Sequence, residues 1–143
     1  MSERAGDARV CIVDDQESNV RLLERVLARG GFENIRTFTS GGAMLDAIAT
    51  DSPDLLLLDL HLPAPDGYTI IETIRSGGAG VAHDLPILVL TADVGHGARA
   101  RAISMGANDY LVKPFDADEV TVRARNLAEL GMLKRLLRGA SPR

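Results

Sequence analysis

The sequence predicts a doubly wound α/β domain built on a five-stranded parallel sheet. Five short apolar runs alternate with segments of helical periodicity along the whole chain. The runs are unbroken, as in strands that are buried on both faces. The connections are short, and five strand–helix units joined this closely wind around a single parallel sheet.

Arg9-Val10-Cys11-Ile12-Val13 is the first strand. Glu17 to Arg29 places Val20, Leu23, Val26 and Leu27 on one helical face, and Gly30-Gly31 stops that helix. Ile35 to Phe38 is a short second strand. Ser40 can cap a second helix running through Ile48, with Met44, Leu45 and Ile48 at helical spacing. Asp54 to Leu60 reads as the third strand, introduced by Pro53, and Tyr68 to Arg75 as the third helix after a loop at Pro63 to Gly67. The glycine-rich stretch Ser76 to Gly80 follows a helix and precedes the fourth strand, Ile87 to Leu90, so it reads as a plain connection and not a phosphate cradle. Gly95 and Gly97 weaken the entry to the fourth helix, whose firm part is Arg99 to Met105. Gly106 ends that helix. Asp109 to Val112 is the fifth strand, and a last helix begins near Asp116 or Asp118 and continues to Arg138. Residues 1–8 read as a flexible lead, 9–130 as the domain, and 131–143 as an extended helix, linker and tail.

With 143 residues the chain has one domain's worth of core to bury without disulfides. A net charge of −4 leaves no basic footprint for direct nucleic-acid binding. No run reaches the length of a membrane span, and Met1 to Arg9 has no apolar stretch of the signal-peptide kind. Cys11 is a lone cysteine in a strand, read as a small buried hydrophobe. These features suit a reducing cytoplasm.

The chemistry gathers where the strands end. Asp14 and Asp15 close the first strand, Asp59 follows the leucines of the third, Thr91 closes the fourth, and Lys113 closes the fifth. In sheets of this kind functional groups meet at the carboxyl ends of the strands, near the point where strand order reverses. Adjacent carboxylates repel unless a cation lies between them, and Mg2+ takes oxygen ligands while keeping several waters. Asp14-Asp15 alone would also fit a helix N-terminus, where acidic residues complement the dipole. Asp59, after four leucines, needs partners in such a place. A carboxylate can be a nucleophile toward phosphorus. An ammonium and a hydroxyl can balance charge on the transferred group. Alone, Thr91 could be a turn residue bonded to its own backbone and Lys113 a solvated charge, but their joint placement favours a shared pocket.

The set Asp14-Asp15, Asp59 followed by Pro63 and Asp66-Gly67, Thr91-Ala92, and Tyr110 before Lys113-Pro114-Phe115 resembles the receiver domain of bacterial two-component response regulators, over about residues 8 to 130. The resemblance implies the flavodoxin-like strand order 2-1-3-4-5. It implies that Asp59 is the phosphoacceptor and that Thr91 and Lys113 contact the phosphoryl group. Asp14, Asp15, the Asp59 carboxylate and the main-chain carbonyl of His61 would bind Mg2+. Lys113-Pro114 is expected to be cis. Phosphotransfer and autodephosphorylation would be self-catalysed, making the chain a phosphoacceptor and not a true enzyme. The expected partners are a sensor histidine kinase or phosphotransfer protein and a downstream output domain or protein. The switch would pass through Thr91 and Tyr110, with Tyr110 turning inward, to the face made by the fourth helix, fifth strand and fifth helix.

His61 and Asp93 lie two residues past Asp59 and Thr91, at the expected rim of the pocket. There they would tune kinetics. His61 is either a general base or a rim group bonded to solvent or Asp93. A phosphatase of the haloacid dehalogenase type would need an acid where His61 stands, and a flavin site would be repelled by Asp14-Asp15. A receiver acting only as a docking module stays open. Leu127, Leu130, Leu133 and Leu137 recur at spacings of three and four, so the last helix either packs on its own sheet and frays or meets a second chain in a weak homodimer or an output region.

Overall fold

The computed structural model describes residues 5–81 and 83–140. Five parallel strands, β1 (Arg9–Val13), β2 (Asn34–Phe38), β3 (Leu55–Leu58), β4 (Ile87–Thr91) and β5 (Asp109–Val112), form one sheet in the order β2-β1-β3-β4-β5. The helices α1 (Glu17–Arg29), α2 (Gly41–Thr50), α3 (Gly67–Arg75), α4 (Ala98–Met105) and α5 (Ala117–Ala140) fill the crossovers and follow the last strand.

Alternation along the strands builds two cores. Cys11, Val13, Leu56, Leu58, Ile87, Val89 and Tyr110 face one side, where Met44 and Ile48 of α2 and Ile70, Ile71 and Ile74 of α3 cover them. Val10, Ile12, Leu55, Leu57, Leu88, Leu90 and Leu111 face the other, under Leu23 and Leu27 of α1 and Val120, Ala124 and Ala128 of α5. Residues one apart feed opposite faces, so central strands must be apolar throughout. That is why the leucine run of β3 is unbroken. Cys11 is buried, and desolvation pushes its thiol up to about 12, so it behaves as core.

Helix ends follow local chemistry. The Ser40 hydroxyl accepts from the Ala43 N–H at 3.3 Å, and Asp66 accepts from the Thr69 N–H at 2.9 Å. Asp66 therefore caps α3 instead of belonging to a plain loop. Gly106, at φ 121°, ends α4 in a conformation that L side chains resist.

Beyond shifts of one or two residues at several element ends, three differences from the sequence reading bear on the architecture. β3 is shorter than the expected span to Leu60: after the Asp59 N–H reaches the Val13 carbonyl, the Leu60 carbonyl accepts from Gly67 at the start of α3. The chain has left the sheet by then. Ala5–Asp7 form a 3-10 turn and Ala8 is buried, whereas residues 1–4 of the expected flexible lead lie outside the described residues. Residues past 130, read as an extension, are attached to the domain: Met132 is buried and Arg135 pairs with Asp54 at 2.8 Å. Among the described residues no helix is long and apolar enough to cross a membrane.

Candidate functional site

Register builds the pocket. Val13 lies beside Leu58 in the β1–β3 pair, so the residues that follow, Asp14 and Asp59, leave the sheet side by side. β4 lies on the other flank of β3, with Val89 beside Leu58. Thr91 pairs with Val112, and the Lys113 N–H donates to the Thr91 carbonyl at 2.8 Å. The strand reversal thus falls between β1 and β3, where the acidic residues emerge.

Asp14, Asp15 and Asp59 each offer a carboxylate oxygen, and these oxygens lie within 4.8 Å of one another. Asp14 and Asp59 are buried, and Asp15 is exposed. Lys113 Nζ donates to Asp14 Oδ2 at 2.5 Å and to Asp59 Oδ2 at 3.4 Å. Backbone groups hold the other oxygens: the Gln16 N–H donates to Asp14 Oδ1 at 3.0 Å and the His61 N–H to Asp59 Oδ1 at 3.1 Å. Lys113 serves two of the three carboxylates, Asp14 and Asp59, and Asp15 adds a third negative charge beside them, so the cluster carries excess negative charge. The donor set, all carboxylate oxygen, fits a hard divalent cation such as Mg2+. A metal there would balance what Lys113 alone does not.

Thr91 is fully buried, and its hydroxyl accepts from the Asp93 N–H at 3.2 Å. The turn-type bond expected of an isolated Thr is therefore present. His61 Nε2 lies 3.2 Å from Asp93 Oδ2 across the rim, and the His61 side chain remains largely exposed. Asp93 is one of the neighbours the sequence reading allowed for His61. Tyr110 already lies inward: it is buried, and its hydroxyl donates to the Asp93 carbonyl at 2.7 Å. Burial, and then the neighbouring Asp93 carboxylate, push its phenol above the ordinary value. The inward position is thus the one it holds here. Lys113-Pro114 is cis as the resemblance implied, and Ala64-Pro65 is cis as well.

Beside the acidic cluster a groove of about 500 Å3 runs between the loops after β3 and β4, lined by His61, Asp66, Tyr68, Asp93, His96 and Arg101. The Arg101 guanidinium lies 3.8 Å over the Tyr68 ring, joining α3 to α4. Sequence reasoning missed this contact. No periodicity signals a pairing between residues so far apart.

A doubly wound sheet whose carboxyl edge carries an acidic cluster and a lysine defines the receiver-type class of α/β modules. The chain matches the response regulator receiver domain family over residues 10–125, and it belongs to that family. Response regulator PleD of Caulobacter vibrioides is 35% identical over 126 residues, covering 88% of this chain and 27% of that protein. Response regulator MprA of Mycobacterium avium is 40% identical over 119 residues, covering 83% of this chain and 50% of its own length. The chain therefore spans about a quarter to a half of these relatives. The receiver domain of the Francisella response regulator 1452 superposes with a TM-score of 0.78 at 23% identity, over 86% of this chain and 98% of that one, a likeness of fold.

Proposed function

We propose that this receiver domain takes a phosphoryl group onto Asp59 and reports it through the α4–β5–α5 face. The observation that carries the reading is the grouping of Asp59 with Asp14, Asp15 and Lys113 at the strand reversal. An Asp59 carboxylate oxygen forms the bond to phosphorus as the phosphorus–nitrogen bond of a phosphohistidine donor breaks, or the phosphorus–oxygen bond of an acyl phosphate. The phosphohistidine ring, protonated at its other nitrogen, leaves as neutral imidazole, and the acyl group of the acyl phosphate leaves as a carboxylate anion. Lys113, 3.4 Å from Asp59 Oδ2, is within reach of the incoming oxygens, and the Thr91 hydroxyl can donate to them once it turns. Asp14, Asp15, Asp59 and the His61 main-chain carbonyl would hold Mg2+, which supplies charge neutralisation for the phosphoryl oxygens when bound.

The His61–Asp93 pair spans the rim of the pocket, where water must pass to hydrolyse an acyl phosphate. In this reading the pair sets the lifetime of the modified state. A phosphoryl group on Asp59 draws Thr91 toward it, frees the turn at Asp93 and so alters the anchor of Tyr110. The local charge thus biases packing on the output face. The donor is a sensor histidine kinase or phosphotransfer protein in the cytoplasm, and the recipient is an output domain or protein.

The test is mass measurement of wild type and Asp59→Asn after incubation with Mg2+ and acetyl phosphate. A gain of one phosphoryl group by wild type alone supports the proposal, as does loss of that gain in excess chelator. Equal incorporation in both proteins overturns it.

A further inference from the structure

The helix least held by apolar packing is α4. Of its eight residues only Ala98 and Ala102 are buried, whereas α3 buries three isoleucines. A single methyl group covers little apolar surface, so α4 gains little from the core. Its two ends are then fixed in unlike ways. At the carboxyl end Met105 is half-buried against the core, and Arg75 of α3 reaches across. Arg75 Nε and Nη2 donate to the Gly106 carbonyl at 3.0 and 2.7 Å, and Nη2 also donates to Asn108 Oδ1 at 3.0 Å. Its Nη1 donates to the His83 carbonyl at 2.8 Å. Asn108 Oδ1 accepts from the Ile87 N–H at 2.9 Å as well, so this end is tied to the start of β4.

The amino half has no such clamp. Gly97 offers no side-chain cap and sits at φ 84°. The side-chain contact that joins this half to α3 is Arg101 over the Tyr68 ring at 3.8 Å. A guanidinium over an aromatic face is attracted without a hydrogen bond, and at an exposed site the attraction is small enough to break and re-form. Its importance comes from what lies just upstream. The segment from Asp93 to Gly97 runs directly into α4, and Asp93 closes the rim of the acidic pocket by its 3.2 Å contact with His61. Two contacts therefore cross the same groove, His61 with Asp93 and Arg101 with Tyr68.

We propose that Arg101 and Tyr68 form a latch on the phosphoacceptor site. They are positioning residues that keep the amino half of α4, and with it the Asp93 segment, seated beside the loop that follows Asp59. The Arg75 clamp at Gly106 is the pivot. When the latch opens, α4 swings about its carboxyl end, Asp93 leaves His61, and the path to Asp59 widens. A small phosphodonor enters by that path, and so does the water that hydrolyses the acyl phosphate. The latch thus sets how fast the site is charged and discharged, and not how fully. Its effect on rates rests on Asp59 being the phosphoacceptor; the opening of α4 does not.

Amide hydrogen exchange of the full chain, with uptake and loss of phosphate measured in Mg2+ and acetyl phosphate, tests it. Arg101→Gln and Tyr68→Leu should each speed exchange across residues 93–105 about two- to fivefold, the factor an exposed cation–π contact is worth, and leave exchange in β1 to β3 unchanged. The rate constants for uptake and for hydrolysis should rise by that same factor, so the fraction modified at steady state stays at the wild-type level. Tyr68→Phe keeps the ring face and should match wild type in every readout. Arg101→Gln combined with Tyr68→Leu should do no more than either change alone, because both remove one contact. Wild-type exchange in Arg101→Gln overturns the latch, as does an effect of Tyr68→Phe equal to that of Tyr68→Leu. A change in only one of the two rate constants overturns the shared path. Were wild type to take up no phosphate, the phosphoacceptor reading would fall, and the exchange rates would still decide the latch.

Discussion

Asp54 and Asp59 bracket the four leucines of β3, and both are buried, at 2% and 7% exposure. Their surroundings differ in one respect, the supply of donors. Asp54, at the amino end of the strand, accepts from the Arg9 N–H at 2.9 Å and from two nitrogens of Arg135. It is one carboxylate with a guanidinium of its own. Asp59, at the carboxyl end, shares a single ammonium with Asp14 while Asp15 crowds the same space. One end of the strand is electrostatically complete, and the other holds an excess of negative charge that a cation can relieve. Burial of a carboxylate therefore does not mark a functional site by itself; burial without enough compensating charge does.

The sharpest way to break this contrast is to neutralise each aspartate. Asp59→Asn should abolish phosphoryl uptake altogether yet change unfolding free energy by no more than about 1 kcal/mol, because it removes a like charge from the cluster. Chemical denaturation beside the labelling assay checks both halves. Asp54→Ala should do the reverse. It strands Arg135 and the Arg9 N–H, with a loss of about 2–4 kcal/mol, somewhat below a fully buried pair because Arg135 is partly exposed. The remaining folded protein should still take up phosphate. If the Asp54 variant were as stable as wild type, the base of the sheet would not be the anchor described here.

Gly131→Ala probes the same end from the helix side. Its new Cβ would meet the Asp54 main chain, so α5 must shift, at about 1–3 kcal/mol. The melting temperature should fall, whereas Gly139→Ala, with open space around it, should leave it nearly unchanged.

The smallest effect concerns the cap of α3 beside the acceptor loop. The Thr69 N–H bond holds the Asp66 carboxyl below its ordinary value of 3.8. The unfolded chain then binds the proton more readily, so the stability from this cap is complete above that ordinary value and is lost as pH falls through the depressed one. Asp66→Ala should cost about 0.5–2 kcal/mol at neutral pH. The gap from wild type should close in acid, below the depressed value. A gap that stays constant into acid would mean that the charge contributes nothing.

How far the sequence reveals each end of β3 follows from the same contrast. The acidic pocket is legible because its members terminate strands, and strand ends can be located from apolar runs alone. Asp14, Asp59, Thr91 and Lys113 all fall where the runs stop. The Asp54–Arg135 pair joins residues 81 positions apart, one of them on a helix read as leaving the domain. Nothing local announces it except Gly131, a glycine inside a leucine-rich helix, which signals close backbone approach. The sequence places the end of β3 too late because apolar residues continue through Leu60 and Leu62, whose side chains stay buried while their backbone leaves the sheet. The position of Tyr110 depends on a hydrogen bond to the carbonyl of Asp93, a partner that no side-chain pattern encodes.

The central claim is that the under-compensated aspartate is the one that reacts. Borohydride reduction of the chain after incubation with Mg2+ and acetyl phosphate, followed by peptide mass mapping, tests it directly, because an aspartyl phosphate is reduced to homoserine where it stands. The account predicts reduction at Asp59 alone, with Asp14, Asp15 and Asp54 recovered intact. Reduction at any of those three, or phosphate incorporation with Asp59 untouched, would contradict it.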